Sequence, residues 1–205
     1  MFYNLEQNIV YPAAALGIVM KRKINSNGNH ETNSQTQQYF NGHDDDIISL
    51  AISNDRKYIA TGQVASKTSK GKGSICVWDA VDSRLLCKIE ACHQRGVSNL
   101  SFSPDGTKLL SIGQDDKNTH ILYSDAGGNW SRTTTLATEK GDQNMVLYTR
   151  WVNQGNNSAE YNFVSGGGQS IFFWKIEGGT LTRKQGKFGK FKFKEQPKGR
   201  VTQPV

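Results

Sequence analysis

The chain has 205 residues, 36% of them hydrophobic, and a formal net charge of +7, with a mean hydropathy of -0.60. Its 21 Gly, 4 Pro, 9 Phe, 7 Tyr and 4 Trp exclude a solvated tail and suit a turn-rich all-β chain with a core. Residues 1–180 hold 17 Lys/Arg against 17 Asp/Glu, so the whole positive excess lies beyond residue 180 and the rest is a neutral body.

The longest mostly apolar run, Ile9 to Met20, is interrupted by Tyr11, Pro12 and Gly17 and falls short of the ~20 residues that span a bilayer. No basic residue precedes it and Lys21-Arg22-Lys23 follow, the reverse of a secretory signal. It reads as strand material of a cytosolic protein with no membrane partner. Residues 23–38 are polar and Asn-rich, a surface insertion within a first unit spanning 1–40.

A second unit, 41–90, opens at Gly42-His43. "DIISLAIS" then alternates Ile48, Leu50 and Ile52 with Ile47, Ser49, Ala51 and Ser53, the period of a strand. "NDRK" makes a turn, and "YIATG", "SICVWD" and "LLCKIE" read as three more strands. A third unit, 91–138, repeats the order: His93, "GVSNLSFS", the turn "PDG", then "KLLSIG" and "THILYS". The turn has a mechanism, since Pro presets φ and Gly accepts a positive one. A fourth unit, 139–180, carries "MVLYTRWV", "YNFVSGG" and "SIFFWKI". Short strands in fours, recurring every 40–50 residues between Gly-His and Trp-Asp, predict WD40 β-propeller blades, about four and partly incomplete. An ordinary β-sandwich accounts for the strands but not for the order His, Ser/Thr, Trp.

That order has a physical reason. A His ahead of the first strand can bond a hydroxyl on the second, which can reach a Trp N–H on the third, and a satisfied buried chain of this kind fixes register. His43, Thr61 and Trp78 fill the roles in one unit. His93, Ser111, Asp115 and Tyr123 fill them in the next, with Tyr in place of Trp. The last keeps Ser165 and Trp174 without a His. All nine read as structural, not as catalysts or metal ligands.

The cysteines Cys76, Cys87 and Cys92 are odd in number with no C-x-x-C pair, which argues against a disulfide framework or a zinc site. "GGGQS" lacks the Lys and helix of a phosphate loop. Asp44-Asp45-Asp46 lacks the spaced oxygen ligands of a calcium loop and reads as solvated or paired with a basic neighbour. No cofactor, metal or enzymatic centre is expected.

Several stretches resemble the echinoderm microtubule-associated protein-like family: "NIVYPAAALGIVMK", "SQTQQYFNGHDDDIISLAIS", "IATGQV", "SICVWD", "FVSGGGQSIFFW" and "LTRKQGKFGKFKFK". The first is similar to the end of that family's HELP segment and the rest to its first WD40 blades, in order. The resemblance implies a non-enzymatic scaffold that binds tubulin or microtubules in the cytoskeleton, spindle or ciliary axoneme. It also implies an array longer than this chain, an open or partial propeller that other microtubule-associated proteins or a completing chain would cover. The basic stretch 181–205 reads either as the start of a further blade or as a tail. Within it Arg183, Lys184, Lys187, Lys190, Lys192 and Lys194 are candidates for the acidic surface of tubulin. Nucleic acid is the weaker polyanion, for want of a known motif. A general WD40 adaptor for a non-tubulin complex is the competing reading.

Overall fold

The computed structural model describes residues 1–21, 23–24, 30–31, 37–152, 162–168 and 170–187. Every regular element among them is a strand. The first sheet contains β1 (Phe2–Tyr3), β2 (Ile9–Ala13) and β3 (Leu16–Met20). A two-stranded ladder, β4 (Lys23–Ile24) with β5 (His30–Glu31), interrupts it before β6 (Gln37–Phe40) closes its outer edge. The polar insertion expected over 23–38 is therefore shorter, because Gln37 and Gln38 pair with Met20 and Val19.

The second sheet is β7 (Ile47–Ile52), β8 (Tyr58–Gln63), β9 (Lys72–Asp79) and β10 (Leu85–Gln94). The third is β11 (Val97–Phe102), β12 (Lys108–Gly113), β13 (His120–Asp125) and β14 (Thr133–Glu139). The fourth is β15 (Val146–Trp151), β16 (Phe163–Gly167), β17 (Ile171–Glu177) and β18 (Thr180–Gln185). Each is an antiparallel meander of four strands in chain order. Two boundaries differ from the sequence reading. β10 runs on to Gln94, so His93 lies at the end of a strand and not in a connecting loop. Leu181, Arg183 and Lys184 belong to the outer strand of the fourth sheet and start no new one, since Leu181 pairs with Ile176 and Lys184 with Phe173.

The apolar residues form three clusters, each between neighbouring sheets. Val10, Val19 and Phe40 of the first sheet meet Ile59, Cys76 and Trp78 of the second. Ala60, Ile75 and Val77 meet Leu109, Ile121 and Tyr123 of the third, with Phe102 and Trp130. Leu110 and Leu122 meet Phe163, Phe172, Trp174 and Leu181 of the fourth. Alternate residues of one strand thus serve opposite neighbours, as a pleat requires. This explains why β8 and β12 are buried from their second residue onward. Burying a residue such as Trp78 contributes ~2–3 kcal/mol, but only when a second sheet lies against it.

The ladder between the first two strands carries one irregularity, and it recurs at one place in three sheets. The register shifts between Ile47 and Ser49, between Val97 and Asn99, and between Val146 and Tyr148. In each case one extra residue, Ile48, Ser98 or Leu147, opposes no partner, which is a β-bulge.

Turn chemistry repeats as well. In "SNDR" Ser53 donates to Asp55, which accepts from the Lys57 amide; in "SPDG" Ser103 donates to Asp105, which accepts from the Thr107 amide. The fourth residue is left-handed in both, Arg56 at φ 61° and Gly106 at φ 71°, so "NDRK" is the same turn as "PDG" without the glycine.

Candidate interaction site and the polar network behind it

The second sheet assembles its polar residues into one continuous chain. Trp78 Nε1 donates to Thr61 Oγ1 at 3.1 Å, and Thr61 Oγ1 lies 2.7 Å from His43 Nε2. His43 Nδ1 lies 2.7 Å from Gln63 Oε1, and Gln63 Nε2 donates to Asp44 Oδ1 at 2.6 Å. A carboxylate only accepts, so the Gln63 amide must give Asp44 its NH2 and His43 its carbonyl. That carbonyl requires the proton on Nδ1, which leaves Nε2 to accept from the Thr61 hydroxyl. The imidazole stays neutral because burial lowers its pKa, against the opposing bond to Gln63. Asp44 is held below the ordinary carboxylate range, first by the Gln63 bond, and accepts from Ser66 Oγ at 2.8 Å. It is therefore tied to the interior and to the β8–β9 loop while staying exposed to solvent, as its triplet suggested.

The third sheet has a shorter version. His93 Nε2 lies 2.7 Å from Ser111 Oγ, and Tyr123 is buried beside them, its phenol pushed up by burial and then by Cys92. His93 Nδ1 is buried with no hydrogen-bond partner among the described residues. Asp115 turns to its own loop instead, accepting from the Lys117 amide and from the amide and hydroxyl of Thr119. Burial holds His93 at a pKa of about 4. A Cβ on Gly113 would fall 2.5 Å from His93 Nδ1 and 2.7 Å from Asp115 Oδ2, so only glycine fits between them.

The fourth sheet joins Trp174 Nε1 to Ser165 Oγ at 2.7 Å. Its missing His has a counterpart that the sequence hid. Asp142 stands four residues ahead of Val146, as His43 stands ahead of Ile47 and His93 ahead of Val97. It accepts from Asn144 at 2.9 Å and Ser170 at 3.0 Å. A second substitute comes from the neighbouring sheet: His120 on β13 packs on Trp174 with ring centroids 4.3 Å apart. Its Nδ1 donates to the Asn118 carbonyl at 2.7 Å, and burial brings its pKa down to about 4. Gln63, His120, Asn118 and Asp142 were not singled out from sequence. The repeated spacing ahead of each first strand could have found Asp142; nothing local marks His120.

The basic candidates divide. Arg183 lies across the aromatic face of its sheet, its guanidinium carbon 4.7 Å from the Phe172 centroid and 5.7 Å from that of Trp174. Lys184 and Lys187 are exposed. Lys190, Lys192 and Lys194 lie outside the described residues. Among the described residues no three His, Cys, Asp or Glu side chains are grouped to hold a metal ion, and no helix is long and apolar enough to cross a membrane.

The geometry is that of consecutive propeller blades, and the family comparison gives them an identity. The echinoderm microtubule-associated protein first beta-propeller matches residues 36–199. The chain belongs to this family. Echinoderm microtubule-associated protein-like 1 of Homo sapiens is 33% identical over 175 residues, 82% of this chain and 20% of that protein. Echinoderm microtubule-associated protein-like 4 of Mus musculus is 35% identical over 170 residues, 80% of this chain and 16% of that protein. The chain thus spans a quarter or less of the family members it matches. Among solved structures, the WD40 repeats of RRP9 superpose with a TM-score of 0.59 at 22% identity, covering 89% of this chain and 49% of that one. The beta-propeller domain of Cps50 (Swd1) from Myceliophteria thermophila gives 0.51 at 16% identity, covering 68% and 38%. At those identities the likeness establishes the propeller fold alone. Among the described residues, four four-stranded sheets that close no ring form a partial propeller.

Proposed function

We propose that the chain is a non-enzymatic, microtubule-associated scaffold of the cytoplasm and cytoskeleton, with the spindle or the ciliary axoneme as settings. The observation that carries this reading is the family match over residues 36–199. The blade networks supply rigidity, and recognition falls to loops, edges and exposed lysines. Lys184 and Lys187, with Lys190, Lys192 and Lys194 beyond them, are the residues proposed to face the carboxylates of tubulin. Arg183 is assigned to the sheet, because its guanidinium stacks on Phe172. Other microtubule-associated proteins, or a chain completing the propeller, are the further partners proposed.

A second reading is a general WD40 adaptor for a non-tubulin complex, a role that the propeller fold accommodates equally well. Co-sedimentation with polymerised microtubules across a salt series separates the two. The full chain is compared with a version ending at Lys187, which keeps β18 intact. Pelleting that weakens with salt and is lost on truncation supports tubulin binding through the basic end. A folded full chain that stays in the supernatant at low salt gives the adaptor reading first place.

A further inference from the structure

A cavity of about 400 Å³ opens between the second and third sheets, under the loops that lead into β9 and β13. Lys72, Lys117 and Lys140 line it from three separate elements, together with Cys92, His93, Asp115 and Asp116.

The charges in this cavity are not balanced. Asp116 is already bound to Arg95, 2.7 Å away. Asp115 accepts from the amides of Lys117 and Thr119 and from the Thr119 hydroxyl and keeps its charge, which leaves one free carboxylate against three lysines. None of the three lysines has a carboxylate within ion-pair distance among the described residues. Burial leaves His93 neutral, with a pKa of about 4, and pushes the Cys92 thiol up to about 12, so at neutral pH the imidazole adds no positive charge and the thiol no negative one. His93 Nδ1, which also lines the cavity, is buried without a hydrogen-bond partner among the described residues.

Size narrows the occupant. One water takes ~30 Å³ of liquid, so a single inorganic anion would leave most of about 400 Å³ unfilled. Several side chains on one strand of peptide would fill it and could meet all three ammonium groups together. Lysine suits this work as a point charge on a long stem that needs no fixed fork geometry.

We propose that this inter-blade groove is a docking site for an acidic peptide segment, with Lys72, Lys117 and Lys140 receiving its carboxylates. The assignment deepens the tubulin reading by placing an acidic-chain receptor within the blades, apart from the basic end.

The test is fluorescence polarisation of labelled hexaglutamate with the full chain, next to hexaglutamine. K117E/K140E reverses two exposed lysines of the groove. K57E/R84E makes the same charge change at turns that do not line it, and circular dichroism checks both folds. Reversal in the groove should weaken hexaglutamate binding about tenfold or more, because two attractive charges become repulsive, while K57E/R84E changes it less than about twofold. Equal weakening by both pairs, equal binding of hexaglutamine, or no binding at all overturns the proposal. The two readings fail separately. A chain that pellets with microtubules but ignores hexaglutamate loses the groove and keeps its function, and one that binds the peptide without pelleting does the opposite.

Discussion

Phe40 lies flat on Trp78, ring centroids 4.7 Å apart and planes 4° apart, although the two residues belong to different sheets. Phe40 ends the outer strand of the first sheet and Trp78 sits in the third strand of the second. A Cβ on Gly17 would fall 2.8 Å from Trp78 Cζ2, so the first sheet approaches the indole closely there. Replacing Phe40 by Ala should cost ~3–5 kcal/mol, read as a drop in the urea midpoint with Trp fluorescence as probe. A change under 1 kcal/mol would mean that the first sheet does not pack on the second in solution.

Thr61 joins two buried groups at once. Thr61→Val keeps the shape and removes the hydroxyl, leaving His43 Nε2 and the Trp78 N–H without partners. Each stranded group costs ~1–3 kcal/mol, so Thr61→Val should destabilise clearly more than Thr61→Ser, which keeps the hydroxyl. Equilibrium denaturation of the two variants decides it; equal losses would make the effect one of methyl packing.

His120 is the neighbouring sheet's contribution to the fourth. His120→Ala removes the ring from Trp174 and should cost ~2–4 kcal/mol. His120→Phe retains an aromatic ring and loses the bond to Asn118, so its cost should be smaller. Similar melting temperatures for both variants would place the value of His120 in the hydrogen bond and not in the stack.

Stability should depend on pH through the buried imidazoles. His93 and His120 titrate near 4 in the fold, against an ordinary 6.5, because burial disfavours their charged forms. Between those values the unfolded chain binds more protons than the native one, so stability falls as pH drops from 6.5 to 4 and the loss from these groups then levels off. Above 6.5 neither residue contributes. Asp44 and Asp142, both lowered from 3.8, act in the same direction at more acid pH. Urea denaturation at intervals across this range should show the unfolding free energy falling by a total of roughly a few kcal/mol. A flat profile from 6.5 to 4 would show that water reaches both rings.

Cys76 is fully buried, and burial pushes its thiol up to about 12. It should resist iodoacetamide at neutral pH in the folded chain and react only in denaturant, as mass spectrometry of the digested protein would show. Modification without denaturant would mean that the first and second sheets separate readily.

Spacing alone made much of the architecture legible. His43, Thr61 and Trp78 sit where one blade needs them, and Ser111 and Ser165 repeat the hydroxyl at the same place on the second strand. Partners set by three-dimensional neighbourhood were not legible. Gln63 looks like an ordinary strand residue until Asp44 and His43 close around it, and His120 serves a Trp 54 positions later across a sheet boundary. Trp130 sits in a Gly-rich stretch, yet it is fully buried, donates to the Gly106 carbonyl and meets Phe102 edge-on. β18 was misassigned because an outer strand is exposed along most of its length, so its lysines gave it the look of a separate segment.

The three bulges leave one position per blade outside the ladder. Its occupants are Ile48, Ser98 and Leu147, an isoleucine, a serine and a leucine, while the next residues resume pairing with Gly62, Ile112 and Gly166. Leu147 is 59% exposed and Ile48 only 38%, and Ser98 turns its hydroxyl to the Ile112 carbonyl. A residue that the strand register does not count can change without shifting the pairing of the strands beside it. Three of the four blades thus carry a tunable point on the first strand, so the character of the surface there can be rewritten one position at a time while the strand pairing stays as it is.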